Sequence, residues 1–292
     1  MTREENEIEA SRAPLMDHLI ELRRRLIISV IALGIGFVVC FAFSSQIYLW
    51  LLRPFEMAAA MLAAQKQGAH HGPFDLLLVV MGVVHPPSGA QALKLVFTAP
   101  LEFFFTKMKL AAFGGIILSF PVIAWQLYRF VAPGLYRQEK KAFAPFLLAA
   151  PVLFVMGSAL VYFIMLPFVL WFSLSQQVVS GNISVELLPK VSDYLALVTQ
   201  LMLAFGLCFQ LPVILTLAAL AGLIESATLA KGRRYAIVAI VFVAAILTPP
   251  DPLSQMLLAI PIYLLYEVSI WCVRLMELRR KQDERRSLVT TS

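Results

Sequence analysis

The sequence predicts an all-α polytopic membrane protein with six transmembrane helices. Of its 292 residues, 60% are hydrophobic and 14% are charged, and the mean hydropathy is +0.81. Apolar runs long enough to cross a bilayer recur along the chain, and polar turns separate them. This composition excludes a soluble globular domain.

The first apolar run, at residues 26–43, follows the basic cluster Arg23–Arg25. A secretory signal peptide has the same order of basic residues and apolar core. This run is longer than such a core, and no cleavage site of small residues follows it. We therefore interpret it as a retained first span. An amphipathic helix that begins after Pro14 and can pair Glu21 with Arg25 is expected before it.

Five further spans are predicted downstream, and the last two are short. Their ranges are 107–132, 142–174, 195–222, 234–249 and 253–273. A proline inside a span removes a backbone donor and favours a bend, as at Pro121 and Pro212. The chain thus divides into a disordered tail at 1–14, one membrane domain at 15–275 and a basic tail at 276–292.

The distribution of lysine and arginine predicts the orientation. Five precede the first span, four lie at 129–141, three at 231–234 and six at 274–286, whereas the turns on the other side are poorer in basic residues. Because basic loops stay in the cytoplasm, both termini are expected there. The first external loop also carries basic residues, but long loops cross regardless of charge. Its apolar stretch at 76–84 is too short to span and is expected to graze the outer face.

No catalytic or cofactor site is predicted. The three cysteines are far apart in apolar runs, and there is no grouping of Ser, His and Asp, of metal ligands or of paired acids. The net charge of +6 sits in short clusters beside the spans, which indicates membrane topology rather than nucleic-acid binding. The sequence therefore predicts a protein that is not an enzyme and has no metal or cofactor.

The most distinctive polar stretch is the turn at 130–141, FVAPGLYRQEKK. Pro133 and Gly134 end the helix that precedes it. Glu139 is the only acid in this turn, among three basic residues. Either Glu139 forms an ion pair within the turn, or it faces a cationic ligand at the membrane surface. The residues alone leave both readings open.

Few polar groups lie at membrane depth, where a charge is costly. Gln210, beside Pro212, can satisfy a backbone carbonyl that the proline frees, or it can offer a hydrogen bond to a partner helix. Glu267, near the cytoplasmic end of the last span, is expected to reach the surface or to form an ion pair. Asp251 lies in the external turn between the last two spans and can cap the final helix.

Four motifs in matching order resemble the TatC family, the receptor subunits of twin-arginine protein translocases. They are HLIELRRRL at 18–26, FPVIAWQLYRFVAPGLYRQEKK at 120–141, AFGLCFQLPVIL at 204–215 and LTPPDPLSQMLLAIP at 247–261. The resemblance implies a concave, glove-like bundle in the bacterial cytoplasmic (inner) membrane. It also implies export of folded proteins with twin-arginine signal peptides, powered by the proton-motive force. The implied partners are single-span TatA and TatB subunits, other copies of the chain and membrane lipid.

By the same resemblance, the arginine pair of the signal peptide is bound by Glu139 and Phe130, with help from Glu21 and Arg23 on the entry helix. Gln126 lies one helical turn before Phe130 and extends this patch. A carboxylate suits the two-point hydrogen bonding of a guanidinium, and an aromatic ring can stack on its plane. The residues expected to serve as structural loop positions are Pro54, Pro121, Pro133, Gly134, Tyr136, Pro249 and Pro250.

Partner docking within the membrane is expected at Gln210, Thr248, Asp251 and Gln255. The chain departs from the family pattern in two ways. Many relatives carry glutamate where this chain has Gln210, which puts any role of an ionisable group there in doubt. The first external loop is also longer than usual, with an insertion around 60–95 that the resemblance does not explain.

Two other functions are compatible with a polytopic chain. A secondary transporter of a small solute is built around broken helices and midplane polar groups, but this sequence shows no inverted repeat and no acid–base pair at the midplane. A structural membrane scaffold would leave the patch around Glu139 without a ligand. Binding of an Arg-Arg peptide separates these functions.

Overall fold

The computed structural model describes residues 3–66, 96–131, 139–176, 178–180, 183–185, 189–248 and 252–290. At some helix ends, such as 3–15, 60–66 and 139–147, it describes the backbone alone. The elements in chain order are α1 (Arg3–Ala42), α2 (Ser44–Lys66), α3 (Glu102–Val131), α4 (Glu139–Leu160), a π-helical turn (Val161–Met165), α5 (Leu166–Ser175), β1 (Val178–Ser180), β2 (Ile183–Val185), α6 (Val191–Cys208), α7 (Leu211–Leu220), α8 (Ser226–Lys231), α9 (Arg233–Leu247) and α10 (Pro252–Thr290).

Five segments of the described chain are long and apolar enough to cross a membrane. They are Leu19–Ala42, Glu102–Phe130, Leu148–Ser175, Val191–Leu220 and Ser254–Arg279. Each of them overlaps a predicted span, so the all-α, multi-pass fold class is confirmed.

The two final spans differ in length. Helix α9 has 15 residues, which is about 22 Å at 1.5 Å per residue and less than the roughly 30 Å hydrocarbon core. It coincides with the short fifth span that the sequence predicts, and its crossing of the membrane stays a prediction. Helix α10 has 39 residues, and its apolar segment alone has 26. The predicted short sixth span is therefore corrected, because the helix continues beyond residue 273 into the basic segment.

Helix α1 begins at Arg3, whereas the sequence predicts a start after Pro14. The residues between these positions include four glutamates, which are good helix formers and are favoured near a helix N-terminus. The backbone at 3–14 is helical for this reason, in place of the predicted disorder. The boundary that separates residues 1–14 from the membrane domain stays a prediction.

Helix α2 was not predicted, because it falls in what the sequence suggests is a loop. Pro54 was expected at a loop position, but it lies inside this helix and is buried, and Pro121 likewise lies inside α3. A proline has no N–H to give to the carbonyl four residues earlier, which here is that of Trp50. The hydroxyl of Tyr162 donates to this carbonyl at 2.7 Å, and the hydroxyl of Tyr194 donates to that of Leu51 at 2.6 Å. The Tyr162 hydroxyl thus takes the place of the N–H that Pro54 lacks, and Tyr194 adds a second hydrogen bond to the same turn of α2.

The core lies where α4, the π-helical turn and α6 pack against α2 and α5. Its largest fully buried side chains include Phe154, Phe205 and Leu201. The ring of Phe154 lies against Gly206, where an added Cβ would lie 2.7 Å from Cε2. The hydroxyl of Ser158 donates to the carbonyl of Met202 at 3.1 Å. Apolar packing and a buried hydrogen bond therefore join α4 to α6.

Helices α1 and α3 run antiparallel and cross at three glycines, Gly36, Gly114 and Gly115. A Cβ on Gly36 would lie 2.9 Å from the carbonyl oxygen of Gly115, and one on Gly114 would lie 2.8 Å from Sγ of Cys40. Small residues allow such close approach of helices within a membrane. Only 11% of the most apolar window of α1 is buried in the chain, compared with 50% in the segment Val191–Leu220. Helix α1 is therefore peripheral.

One end of the bundle is joined by short backbone contacts. Strands β1 and β2 pair antiparallel with Val178 opposite Val185. Val96, before α3, accepts a hydrogen bond from the N–H of Val191 at 3.2 Å and donates to the carbonyl of Pro189 at 3.3 Å. The starts of α3 and α6 are thereby held side by side.

Candidate functional site

Two of the predicted signal-peptide residues lie at the end of α3. Gln126 and Phe130 are four residues apart, so they share one face of the last turns of the helix. Both side chains are half-buried. Gln126 and Phe130 therefore lie next to each other on one partly exposed face of α3, and their part in signal binding stays a prediction.

Two more predicted residues lie on α1. Glu21 is half-buried and Arg23 is exposed. The carboxylate of Glu21 accepts hydrogen bonds from both Nε and Nη2 of Arg25, the first at 3.1 Å. The i, i+4 pair expected from the sequence is confirmed. It holds the Glu21 carboxylate in place on the surface of the helix.

The glycine crossing relates these two helices to each other. Glu21 lies fifteen residues before Gly36 on α1, and Phe130 lies fifteen residues after Gly115 on α3. At 1.5 Å per residue, each is about 22 Å from the crossing. Because the helices are antiparallel, Glu21 and Phe130 lie at the same level, at one end of the bundle.

The remaining predicted residues of this patch are only partly described. Helix α4 begins at Glu139, but its side chain is outside the described residues. Pro133, Gly134 and Tyr136 also lie outside them. Glu139 therefore follows α3 after a connection that starts beyond Val131. Its contact with a ligand stays a prediction.

Gln210 lies in the turn between α6 and α7 and is 7% exposed. Its side-chain amide donates to the carbonyl of Ala150 on α4 at 2.9 Å and, more weakly, to that of Gly206 at 3.4 Å. Of the two roles predicted for Gln210, the structure shows a hydrogen bond to another helix, and that helix belongs to the same chain. Pro212 follows the helix break, as expected.

Of the predicted docking residues near the last turn, Gln255 joins α10 to α9, whereas Thr248 bonds within the end of α9. The buried hydroxyl of Thr248 donates to the carbonyl of Ala244 at 2.8 Å. The side-chain amide of Gln255 donates to the carbonyl of Val241 at 3.1 Å. Asp251, Pro249 and Pro250 lie outside the described residues. Thr248 and Gln255 therefore stabilise this end of the helix pair. Their contact with a partner subunit stays a prediction.

Near the start of α9, Glu267 of α10 forms an ion pair, as the sequence suggests. Nε of Arg233, at the start of α9, lies 2.8 Å from its Oε1. The hydroxyl of Tyr263 also donates to Oε1 at 2.8 Å. The pair ties the start of α9 to α10.

Glu102 was not singled out by the sequence analysis, although it connects several elements. Its Oε2 accepts hydrogen bonds from the N–H of Thr98 at 2.7 Å and from that of Ala99 at 3.1 Å, and its Oε1 accepts one from the hydroxyl of Ser192. The first two bonds cap the start of α3. The position of Glu102 at the start of a helix could have been recognised in the sequence. No sequence pattern indicates its bond to Ser192.

Comparison with known proteins identifies the family. The family model described as "TatC: Sec-independent protein translocase protein (TatC)" matches residues 17–261. The chain belongs to the TatC family. A TatC protein of Magnetococcus marinus is 42% identical over 273 residues, which cover 94% of this chain and 88% of the relative. One of Aquifex aeolicus is 34% identical and covers 93% of this chain and 99% of the relative.

A solved structure supports the same family. The structure described as "Crystal Structure of Twin Arginine Translocase Receptor- TatC" matches with a TM-score of 0.67 and 34% identity, over 88% of this chain and 98% of that one. The fold is therefore that of a multi-pass TatC protein. The family consists of protein translocase components that act with other Tat subunits, and it is not a family of enzymes.

Proposed function

We propose that this chain is the signal-receptor subunit of a twin-arginine translocase in the bacterial cytoplasmic membrane. The observation that carries this proposal is the likeness of 88% of this chain to 98% of the chain in a structure described as a twin-arginine translocase receptor. The placement of Glu21 and Phe130 at one level of α1 and α3 supports it. Together with Gln126, Arg23 and Glu139, these residues supply the groups that an arginine pair needs.

Each group has a definite chemical role in this proposal. Glu139 accepts two hydrogen bonds from a signal-peptide guanidinium, and the Phe130 ring stacks on its plane. Glu21 shares its carboxylate between Arg25 and the second arginine. Gln126 adds a neutral acceptor one turn away. The basic residues around Glu139 keep an incoming cation from binding elsewhere in the turn, so the signal is selected by position as well as by charge.

TatA- and TatB-type subunits are the proposed partners, with folded cargo exported by the proton-motive force. An exposed apolar face of α9 supports a partner of this type, since Val238, Phe242 and Ile246 recur every fourth residue and are 64 to 68% exposed. A single-span helix can pack along such a face. Gln210, Thr248, Asp251 and Gln255 are the polar positions proposed to accompany this docking.

Binding of a twin-arginine peptide to membranes tests the receptor role. Glu139→Ala removes the acceptor and leaves three basic residues to repel the cation, so binding falls. The loss is about 2–5 kcal/mol if the charge pair is desolvated and under about 1 kcal/mol if it is screened. Glu139→Gln is milder because it keeps one acceptor, and Phe130→Ala loses only the stacking surface.

Glu56→Ala is the matched control, because Glu56 is an exposed acid on α2, away from the candidate site. It is expected to bind the peptide as wild type does. Equal binding by Glu139→Ala and wild type at low salt would contradict the receptor role. So would failure of the Glu139→Ala protein to accumulate, since a surface turn contributes little to packing.

The proposed topology places both termini in the cytoplasm. Single cysteines at 137, 231 and 280 are expected to react with an impermeant reagent from the cytoplasmic side, and those at 70, 185 and 251 from the opposite side. The distribution of lysine and arginine is the reason. Labelling of 137 and 185 from the same side would contradict this topology.

A further inference from the structure

A cleft between α8 and the last span lies apart from the proposed signal site. It has a volume of about 640 Å³, which is in the range of sites for small ligands, roughly 300–1,000 Å³. Ala227 and Ala230 of α8 form one wall, and their small side chains leave the space open. Trp271, Arg274 and Leu275 of α10 form part of the other.

The charge available in this cleft is positive. Arg233 and Arg274 both line it, and Arg233 is paired with Glu267. Arg274 is exposed and has no ion pair within the described part of the chain. The nearby acid Glu277 does not line the cleft and already accepts hydrogen bonds from the N–H and the hydroxyl of Ser226. One guanidinium is thus available to an anion.

The position along α10 matches the surface of a bilayer. Trp271 is 70% exposed and lies within the apolar segment that ends at Arg279. Tryptophan is enriched where a span meets the headgroups. Leu275, one turn further, is also exposed, whereas Ile270 is buried on the wall of the cleft. The cleft therefore offers apolar walls and a cation at the depth where a lipid presents its phosphate.

We propose that this cleft binds an anionic phospholipid, with its phosphate at Arg274 and an acyl chain along Ile270 and Trp271. Basic pockets between spans are suited to phosphate-bearing headgroups. Helix α8 has only six residues. It is tied to α10 by the hydroxyl of Tyr266, which donates to the carbonyl of Leu229, and by the Ser226–Glu277 bonds. A bound lipid fills the gap between α8 and α10 and holds them together.

Native mass spectrometry of the full chain tests this site with two lipids of equal acyl chains, phosphatidylglycerol and phosphatidylcholine. Phosphatidylglycerol is expected to be retained preferentially. Arg274→Gln is expected to lower the retention of phosphatidylglycerol about fivefold. This factor corresponds to the loss of about 1 kcal/mol, which one basic residue contributes near an anionic surface. Ala230→Leu keeps every charge but fills the cleft, so it is expected to lower the retention of both lipids.

Arg279→Gln is the matched control, since Arg279 is exposed on the same helix and does not line the cleft. It is expected to retain phosphatidylglycerol as wild type does. Equal losses in Arg279→Gln and Arg274→Gln would overturn the proposal, because they would indicate a general surface attraction. Unchanged retention in Ala230→Leu, equal retention of the two lipids by wild type, or competition by inorganic phosphate alone would overturn it as well.

Discussion

The helix pairs α1–α3 and α4–α6 both approach at glycines, but they are secured differently. At α4–α6, Gly206 faces the ring of Phe154, and Ser158 and Gln210 add side-chain hydrogen bonds across the contact. At α1–α3, Gly36 faces the backbone of Gly115. Buried side-chain hydrogen bonds therefore add to the packing of the central pair, whereas α1 and α3 approach closely at glycines, Gly36 against Gly115 and Gly114 against Cys40, where an added Cβ would clash.

The difference is relevant to function because one pair forms the core and the other carries the candidate site. The central pair forms the core, where loss of one contact leaves others in place. The peripheral pair carries the two halves of the candidate site, Glu21 on α1 and Phe130 on α3. A residue that forces α1 away from α3 is therefore expected to change the geometry of the signal site directly, because the two halves lie on different helices.

The largest effect is expected from Gly36→Val. Its Cβ would lie 2.9 Å from a backbone oxygen, which cannot move aside as a side chain can. Overpacking of this kind costs about 1–3 kcal/mol, and α1 would move away from α3. Peptide binding and the thermal unfolding midpoint in detergent are both expected to fall.

Gly34→Val provides a matched control on the same helix. A Cβ on Gly34 has nothing within 4 Å, so the two variants share the change in helix propensity but not the clash. Gly34→Val is expected to bind the peptide as wild type does. If Gly36→Val behaved in the same way as Gly34→Val, the crossing would not control the site.

A smaller effect is expected from Gln210→Leu in the central pair. It removes the hydrogen bond to the Ala150 carbonyl, which is worth about 0.5–1.5 kcal/mol. Stability and export are expected to decrease modestly. Gln210→Glu is expected to retain export, because burial favours the neutral carboxyl, which can donate the same bond. Full export by the Leu variant would show that the polar group is dispensable.

The spans could be predicted from the sequence because the length of an apolar run decides whether it crosses a bilayer. The Glu21–Arg25 pair and the bend before Pro212 also follow from local spacing. Helix α2 could not be predicted. It contains Pro54 and several charges, and its Trp50 carbonyl is satisfied by Tyr162, more than a hundred residues away. No local pattern encodes that bond.

The candidate site was predictable in part. The resemblance identified Phe130 and Glu21, but it did not show why they lie at one level, which follows from the register of Gly36 against Gly115. Glu102 was missed because its partner Ser192 is 90 residues away. Such contacts depend on how the helices pack, and a single sequence does not specify that packing.

The most direct test of the account is photo-crosslinking from position 130 to a twin-arginine peptide. A photoreactive residue there is expected to crosslink an Arg-Arg peptide strongly and a Lys-Lys peptide weakly, because only a guanidinium binds a carboxylate at two points. The same residue at Leu118, exposed on α3 but three turns from Phe130, is expected to give no crosslink. Adding Gly36→Val should abolish the crosslink from position 130. Equal crosslinking of the two peptides, or equal yields from positions 118 and 130, would contradict the account.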